Sequence, residues 1–224
     1  MPVGFFFLSV MLFGYFGPWI GQRAAVLAWN PYDLFDILRF LPAIESGTLR
    51  PNLQMLRFPL LSAGVLLPLI AGRHTWLRWM VAVVGIFLAV NTLPPYPTIL
   101  TAAQTPGWDV VLAWGVGTMG VIVLAALVTP YLGRWRWLLV ILLTGFAVIP
   151  SLLTFSQLFP AVAALYKTPV NPGWGLWVFV SGALGLTVWY VEEGIYGWRR
   201  GVEESGRAGT TGFSGSVAGG EGSL

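Results

Sequence analysis

The sequence predicts an all-α membrane protein, a six-transmembrane-helix bundle with a duplicated helical hairpin and a short interfacial amphipathic helix. Three observations point there. Of 224 residues, 56% are hydrophobic and 9% charged, against about 25% charged in soluble domains. Uncharged apolar runs recur at Met1 to Gln22, Phe58 to Gly72, Trp79 to Trp108, Val110 to Gly133, Trp137 to Tyr166 and Thr168 to Val191. A hydrocarbon core of about 30 Å takes roughly 20 helical residues, so five runs suffice and Phe58 to Gly72 needs its flank. Arg57 apart, the span interiors hold no Asp, Glu, Lys, Arg or His.

The spans fall at about 3–21, 53–72, 77–94, 109–130, 136–157 and 174–192, all within one polytopic membrane domain, residues 1–198. The first carries no basic residue in Met1 to Gly4 and no Ala-x-Ala site, so it is expected to be a retained span and not a cleaved signal. The external segment after it holds a helix at about 31–41. Asn30 is placed to cap it, Pro31 to start it, Asp33 to sit in its first turn and Pro42 to stop it. Leu34, Ile37, Leu38 and Leu41 form one apolar stripe, so this helix is expected to lie flat at the membrane surface or on the bundle.

In the second span, Pro59 and Pro68 should free backbone carbonyls and kink the helix. Arg57, near its outer end, should snorkel with its stem in lipid. The later loops, Leu93 to Trp108 and Phe159 to Trp174, are rich in Pro, Thr and Tyr and are expected to lid the outer end of the bundle. Residues 199–224 are dominated by Gly, Ser, Thr and Glu, too polar to offset chain entropy, and read as a disordered cytoplasmic tail.

Self-comparison reveals a repeat. Gly72-Arg73, Trp76, Arg78-Trp79 and Gly85 recur as Gly133-Arg134, Trp135, Arg136-Trp137 and Gly145, and Pro106-Gly107-Trp108 recurs as Pro172-Gly173-Trp174. The offset fits a parallel duplicated hairpin. Arg73, Arg78, Arg134, Arg136, Arg199, Arg200 and Arg207 share one face, while the short loops opposite carry only Lys167. Both termini are therefore expected in the cytoplasm. Trp76, Trp79, Trp108, Trp135, Trp137, Trp174 and Trp177, with Trp19 and Trp198, fall near span ends, as interfacial anchors do. Gly115, Gly117 and Gly120, and Gly182 and Gly185, are candidates for close helix packing.

Chemistry is sparsely signalled. Without cysteine, thiolate metal sites and disulfides are excluded, and the lone His74 has no partner imidazole. No cofactor or metal is implied, and arginines at helix ends argue against nucleic acid as a partner. The low-weight functional candidates are Asp33, Asp36, Arg39, Arg23 and Arg57. Carboxylates three residues apart on a helix suit Mg²⁺, and through it a diphosphate clamped by arginines, but the second acidic cluster such a site needs is missing.

The pattern Trp-Ile-Gly-Gln-Arg-Ala-Ala from Trp19, Tyr-Asp-Leu-Phe-Asp from Tyr32 and Arg-Phe-Leu-Pro from Arg39 resembles bacterial multi-pass membrane proteins with no function attached. The resemblance implies a bacterial plasma (inner) membrane and nothing finer. The leading expectation is a non-catalytic accessory or scaffold subunit in the lipid bilayer, binding a lipid, a membrane-protein partner or a second copy. A neutral-solute transporter or permease component is the alternative. Third comes a membrane-embedded enzyme acting on a lipid-linked substrate.

Overall fold

The computed structural model describes residues 2–21, 29–38, 44, 47–94, 97–105, 108–166 and 170–211. Its helices are α1 (Pro2–Phe16), α2 (Pro31–Ile37), α3 (Phe58–Ala71), α4 (Thr75–Val90), α5 (Trp108–Val128), α6 (Arg136–Tyr166) and α7 (Trp174–Thr211). A 3-10 turn, Leu53–Arg57, leads into α3, and strands β1 (Ile20–Gly21) and β2 (Asn171–Pro172) form a short antiparallel ladder. The protein is thus an all-α membrane protein apart from that ladder. Four stretches are long and apolar enough to cross a membrane: Leu53–Ala71, Trp108–Val128, Arg136–Ala164 and Trp174–Tyr196. Pro2–Phe16 and Thr75–Val90 are shorter apolar helices.

The shortest of the spanning stretches lies at the centre. Every residue of α3 is buried, because α4, α5, α6 and α1 all pack against it. Its sequence is apolar all round, as a helix without a lipid-facing side must be. Pro59 falls in the first turn, where an N–H has no intrahelical acceptor, so it breaks nothing. Pro68 does leave the Gly64 carbonyl without its donor four residues on. That carbonyl lies against Gly85 of α4, where a Cβ would fall 2.5 Å away. The two helices therefore meet backbone to backbone at the point the proline opens.

The first and last helices make the most extensive contact in the molecule. They run antiparallel in a register written in small residues. A Cβ at Gly14 would strike the Phe179 and Val178 backbone, one at Gly182 the Met11 backbone, one at Gly185 the Phe7 ring, and one at Gly175 the Gly17 backbone. At the far end Gly4 meets Tyr190 and Ile70. Lipid offers no hydrophobic drive between helices, so close backbone approach of this kind is what holds them. β1 and β2 continue the pairing beyond the helices, with Ile20 opposite Pro172 and Gly21 opposite Asn171.

Several boundaries differ from those the sequence suggests. α1 stops at Phe16 and not near 21, because Gly17-Pro18 turns the chain into β1. α6 runs on to Tyr166 through Pro150 and Pro160, so Phe159 to Tyr166 is helix where a lid loop was expected. Between α4 and α5 the chain makes two 3-10 turns, Thr98–Leu100 and Ala102–Gln104. α7 continues through Thr211, past the predicted start of the tail, and residues 212–224 lie outside the described set. The two repeat units are not equivalent in packing: Gly85 is pressed on α3, whereas a Cβ on Gly145 would meet nothing within 4 Å.

Gly182→Leu should cost about 3 kcal/mol by overpacking against the Met11 backbone, whereas Gly117→Leu, at a position with nothing within 4 Å, should change stability little. Unfolding in mixed micelles measures both, and equal effects would show that the α1–α7 seam is not what holds the bundle closed.

Candidate functional site

One end of the bundle is capped by α2, and the cap is organised around a buried cation. Asn52 starts the 3-10 turn by accepting from the Gln54 N–H at 3.2 Å, and the turn delivers Arg57 as the residue preceding α3. Arg57 is only 2% exposed. Its Nη1 donates to the Thr92 carbonyl at 2.6 Å. Its guanidinium carbon lies 3.5 Å from the centre of the Phe35 ring and 5.5 Å from that of Tyr32. The expectation that Arg57 snorkels from lipid is therefore wrong: protein covers it on all sides.

The acceptor explains why a cation belongs there. Thr92 lies just beyond α4, among carbonyls with no intrahelical donor and at the negative end of the helix dipole. Arg57 caps that helix from another segment. Tyr32 assists, its hydroxyl donating to the Asn91 carbonyl at 2.9 Å. The Asn91 amide donates to Phe87 and the Thr92 hydroxyl to Ala89, both at 2.7 Å, so the C-terminus of α4 is closed by three kinds of donor.

The Asn30 side chain accepts from the Asp33 N–H at 2.9 Å and sets the start of α2, whose Leu34 and Phe35, with Leu38 just past its end, are buried beneath it. From the other side α6 supports the same turn, with Ser151 Oγ 2.7 Å from both the Met55 and the Ala147 carbonyls.

Trp19 sits beside this cap and corrects a second expectation. It is fully buried and does not face the lipid headgroups. Its indole N–H donates to the Gly14 carbonyl at 3.2 Å, and the ring packs on Phe155 and Phe179. Its backbone joins three segments: its N–H donates to the Trp29 carbonyl at 2.8 Å, and its carbonyl accepts from Gly173 N at 2.7 Å.

Of the other sequence candidates, few fall within the described residues. Asp33 is exposed on α2. Asp36 belongs to the α2 backbone, with its side chain outside the described set, and Arg23 and Arg39 lie outside the described residues. No three His, Asp or Glu side chains converge among the described residues. Gly115 is tight against Leu93, whereas a Cβ on Gly117 or Gly120 would meet nothing within 4 Å among the described residues. Gly117 instead lines a shallow open groove with Ala113, Trp114, Thr118 and Val121.

Trp76, Trp79 and Trp135 are exposed near the α3–α4 and α5–α6 turns, and Trp174 and Trp177 near the capped end. Trp108 and Trp137 are half-buried, the latter against Gly194 of α7. Sequence reasoning missed Tyr32, Phe35 and Thr92. A usable signal was present: an aromatic pair three residues apart on the external helix, and a single arginine with no carboxylate in the facing span.

Comparison of the chain with protein-family models, with curated proteins and with solved structures finds no match. Function must therefore be argued from the cap and the bundle themselves.

A desolvated cation–π contact is worth about 2 kcal/mol. A double-mutant cycle of Phe35→Leu with Arg57→Met should return a coupling of that order in mixed-micelle unfolding. Additive effects would mean that the ring and the cation act separately.

Proposed function

We propose that the chain crosses the bilayer six times and serves as a non-catalytic scaffold or accessory subunit, presenting its arginine-pinned cap to a lipid or membrane-protein partner. The six-span reading is supported by how the two short helices pair. Contacts from Gly17–Gly175 to Gly4–Tyr190 keep α1 beside the spanning window of α7. α4 accompanies α3 end to end, from Arg57–Thr92 through Gly64–Gly85 to Arg78–Gly72. A helix locked along a spanning neighbour shares its depth. At 15 and 16 residues they measure about 22 and 24 Å, a shortfall that local thinning of the bilayer accommodates. An even number of crossings puts both ends on one side, and the short-loop arginines favour the cytoplasm of a bacterial plasma membrane.

The observation that carries the scaffold reading is the buried α3. A permease for neutral solutes wants a polar route near the axis of its bundle, and here an apolar helix in contact with four neighbours occupies that place. Arg57, the one charge a pathway would use, is engaged with a carbonyl and two rings. For the enzyme reading, which needs Asp33, Asp36, Arg23 and Arg39 to act together, only Asp33 has a described side chain, and it is exposed on α2. What remains prominent is a built cap on a closed bundle, a form suited to docking.

A reporter fused after Arg200 should remain on the cytoplasmic side and one inserted near Thr105 should be exported; labelling of the two from the same compartment would overturn the topology. Proteoliposomes should swell in glycerol, urea and ribitol no faster than empty vesicles, and faster swelling would move the assignment to a permease. A membrane protein recovered in stoichiometric amount in mild detergent should be lost, with the bundle still folded, when Phe35→Leu loosens the cap.

A further inference from the structure

The end of the bundle opposite the cap holds a second buried arginine, and its surroundings are different. Gly72, at φ +62°, turns the chain out of α3, and Arg73-His74 lead into α4. Three features of this turn attract an anion. His74, preceding α4, makes no side-chain capping bond, and the first turn of α4 contains no acidic residue. The amides of Thr75, Trp76 and Leu77 thus face outward at the positive end of the helix dipole without an intrahelical acceptor.

Arg78, one turn further on, is 6% exposed and folds back on the turn, its Nη1 reaching the Gly72 carbonyl at 3.3 Å. Its buried Nε has no hydrogen-bond partner. A guanidinium has five N–H donors in a planar fork, and leaving one buried without a partner is costly. No carboxylate pairs with Arg73, His74 or Arg78 among the described residues.

The matching turn between α5 and α6 supplies the contrast. There Arg136 is neutralised within the protein by Glu193 of α7, Nη2 to Oε1 at 2.7 Å. The sequence repeat therefore places similar arginines in two turns, but among the described residues only the second copy carries its own counter-charge. At the first, Trp76 is 75% exposed and Trp79 40%. Exposed indoles beside a helix start mark the depth of lipid headgroups, where the commonest anion is a phosphodiester.

We propose that the α3–α4 turn binds the phosphate of an anionic phospholipid, held by the first-turn amides of α4, the Arg78 guanidinium and the Arg73 side chain. Planar guanidinium suits phosphate oxygens, and helix N-termini bind phosphate through their amides. The acyl chains would leave along the exposed apolar face of α4, beside Met80, Val83 and Phe87. This site stands at the other end of the bundle from the cap and does not depend on what the cap recruits.

The full-length protein, delipidated in detergent, is titrated with phosphatidylglycerol, phosphatidylcholine or inorganic phosphate, and bound lipid is counted by native mass spectrometry. Phosphatidylglycerol should be retained about tenfold more strongly than phosphatidylcholine, and inorganic phosphate at millimolar concentration should not displace it. Arg78→Gln should lower that retention about tenfold. Arg73 is exposed, so Arg73→Gln keeps the fold and should lower retention about fivefold, in line with the worth of one basic residue near an anionic surface. Arg50→Gln, on an exposed loop outside this turn, should leave it unchanged.

Equal retention of the two lipids, or retention unaffected by Arg73→Gln and Arg78→Gln alike, overturns the site. Displacement by inorganic phosphate overturns the lipid as its occupant and makes it a site for free phosphate.

Discussion

A helix enclosed on every side by other helices has neither lipid nor water of its own, and α3 is in that position. Its flanking charges and broken backbone bonds must be satisfied by neighbouring segments. At one end Arg57 is taken up by the C-terminus of α4 and the faces of Phe35 and Tyr32. In the middle, the carbonyl released by Pro68 lies in close backbone contact with Gly85, where no side chain could fit. At the other end Gly72 turns sharply and lends its carbonyl to Arg78. Each solution comes from α4 or from the cap above it, which is why α3 and α4 act as one unit.

Two arginines bracket that unit in contrasting ways. Arg57 faces the negative end of α4, so cation and dipole attract and the side chain completes the helix. Arg78 lies one turn inside the positive end, where its charge adds to the dipole. The first arrangement sets cation against helix dipole within the protein, and the second leaves the positive end of α4 without a described acidic partner. An arginine in a membrane segment is thus defined less by its depth than by which end of a neighbouring helix it meets.

Much of the architecture was legible in the sequence because bilayer thickness constrains apolar runs so severely. The cap, too, was foreshadowed by Asn30, Pro31 and the stripe through Leu34 and Leu38, since capping and amphipathic spacing are local properties. What escaped was relational. Nothing local to Arg57 says that Phe35 will face it, and nothing in Phe58 to Ala71 says that this run, not a longer one, will be enclosed. The length of α6 was misjudged because Phe159 to Trp174, which holds Pro160, was read as a loop from its Pro, Thr and Tyr content, whereas the long helix absorbs that proline and continues to Tyr166. Trp19 was misread for a similar reason: its position near a span end fits a headgroup anchor, and only the ladder joining residues 20–21 to 171–172 draws it inward. The glycines of α7 stood out as small residues, but their partners in α1 lie more than a hundred and fifty positions away.

That distance bears on biogenesis. α7 is synthesised long after α1, so the groove that receives Phe7 and Met11 does not exist until α7 has been made. Until then the small-residue face of α1 stays uncovered. A nascent chain halted before Trp174 would therefore leave that face unfilled.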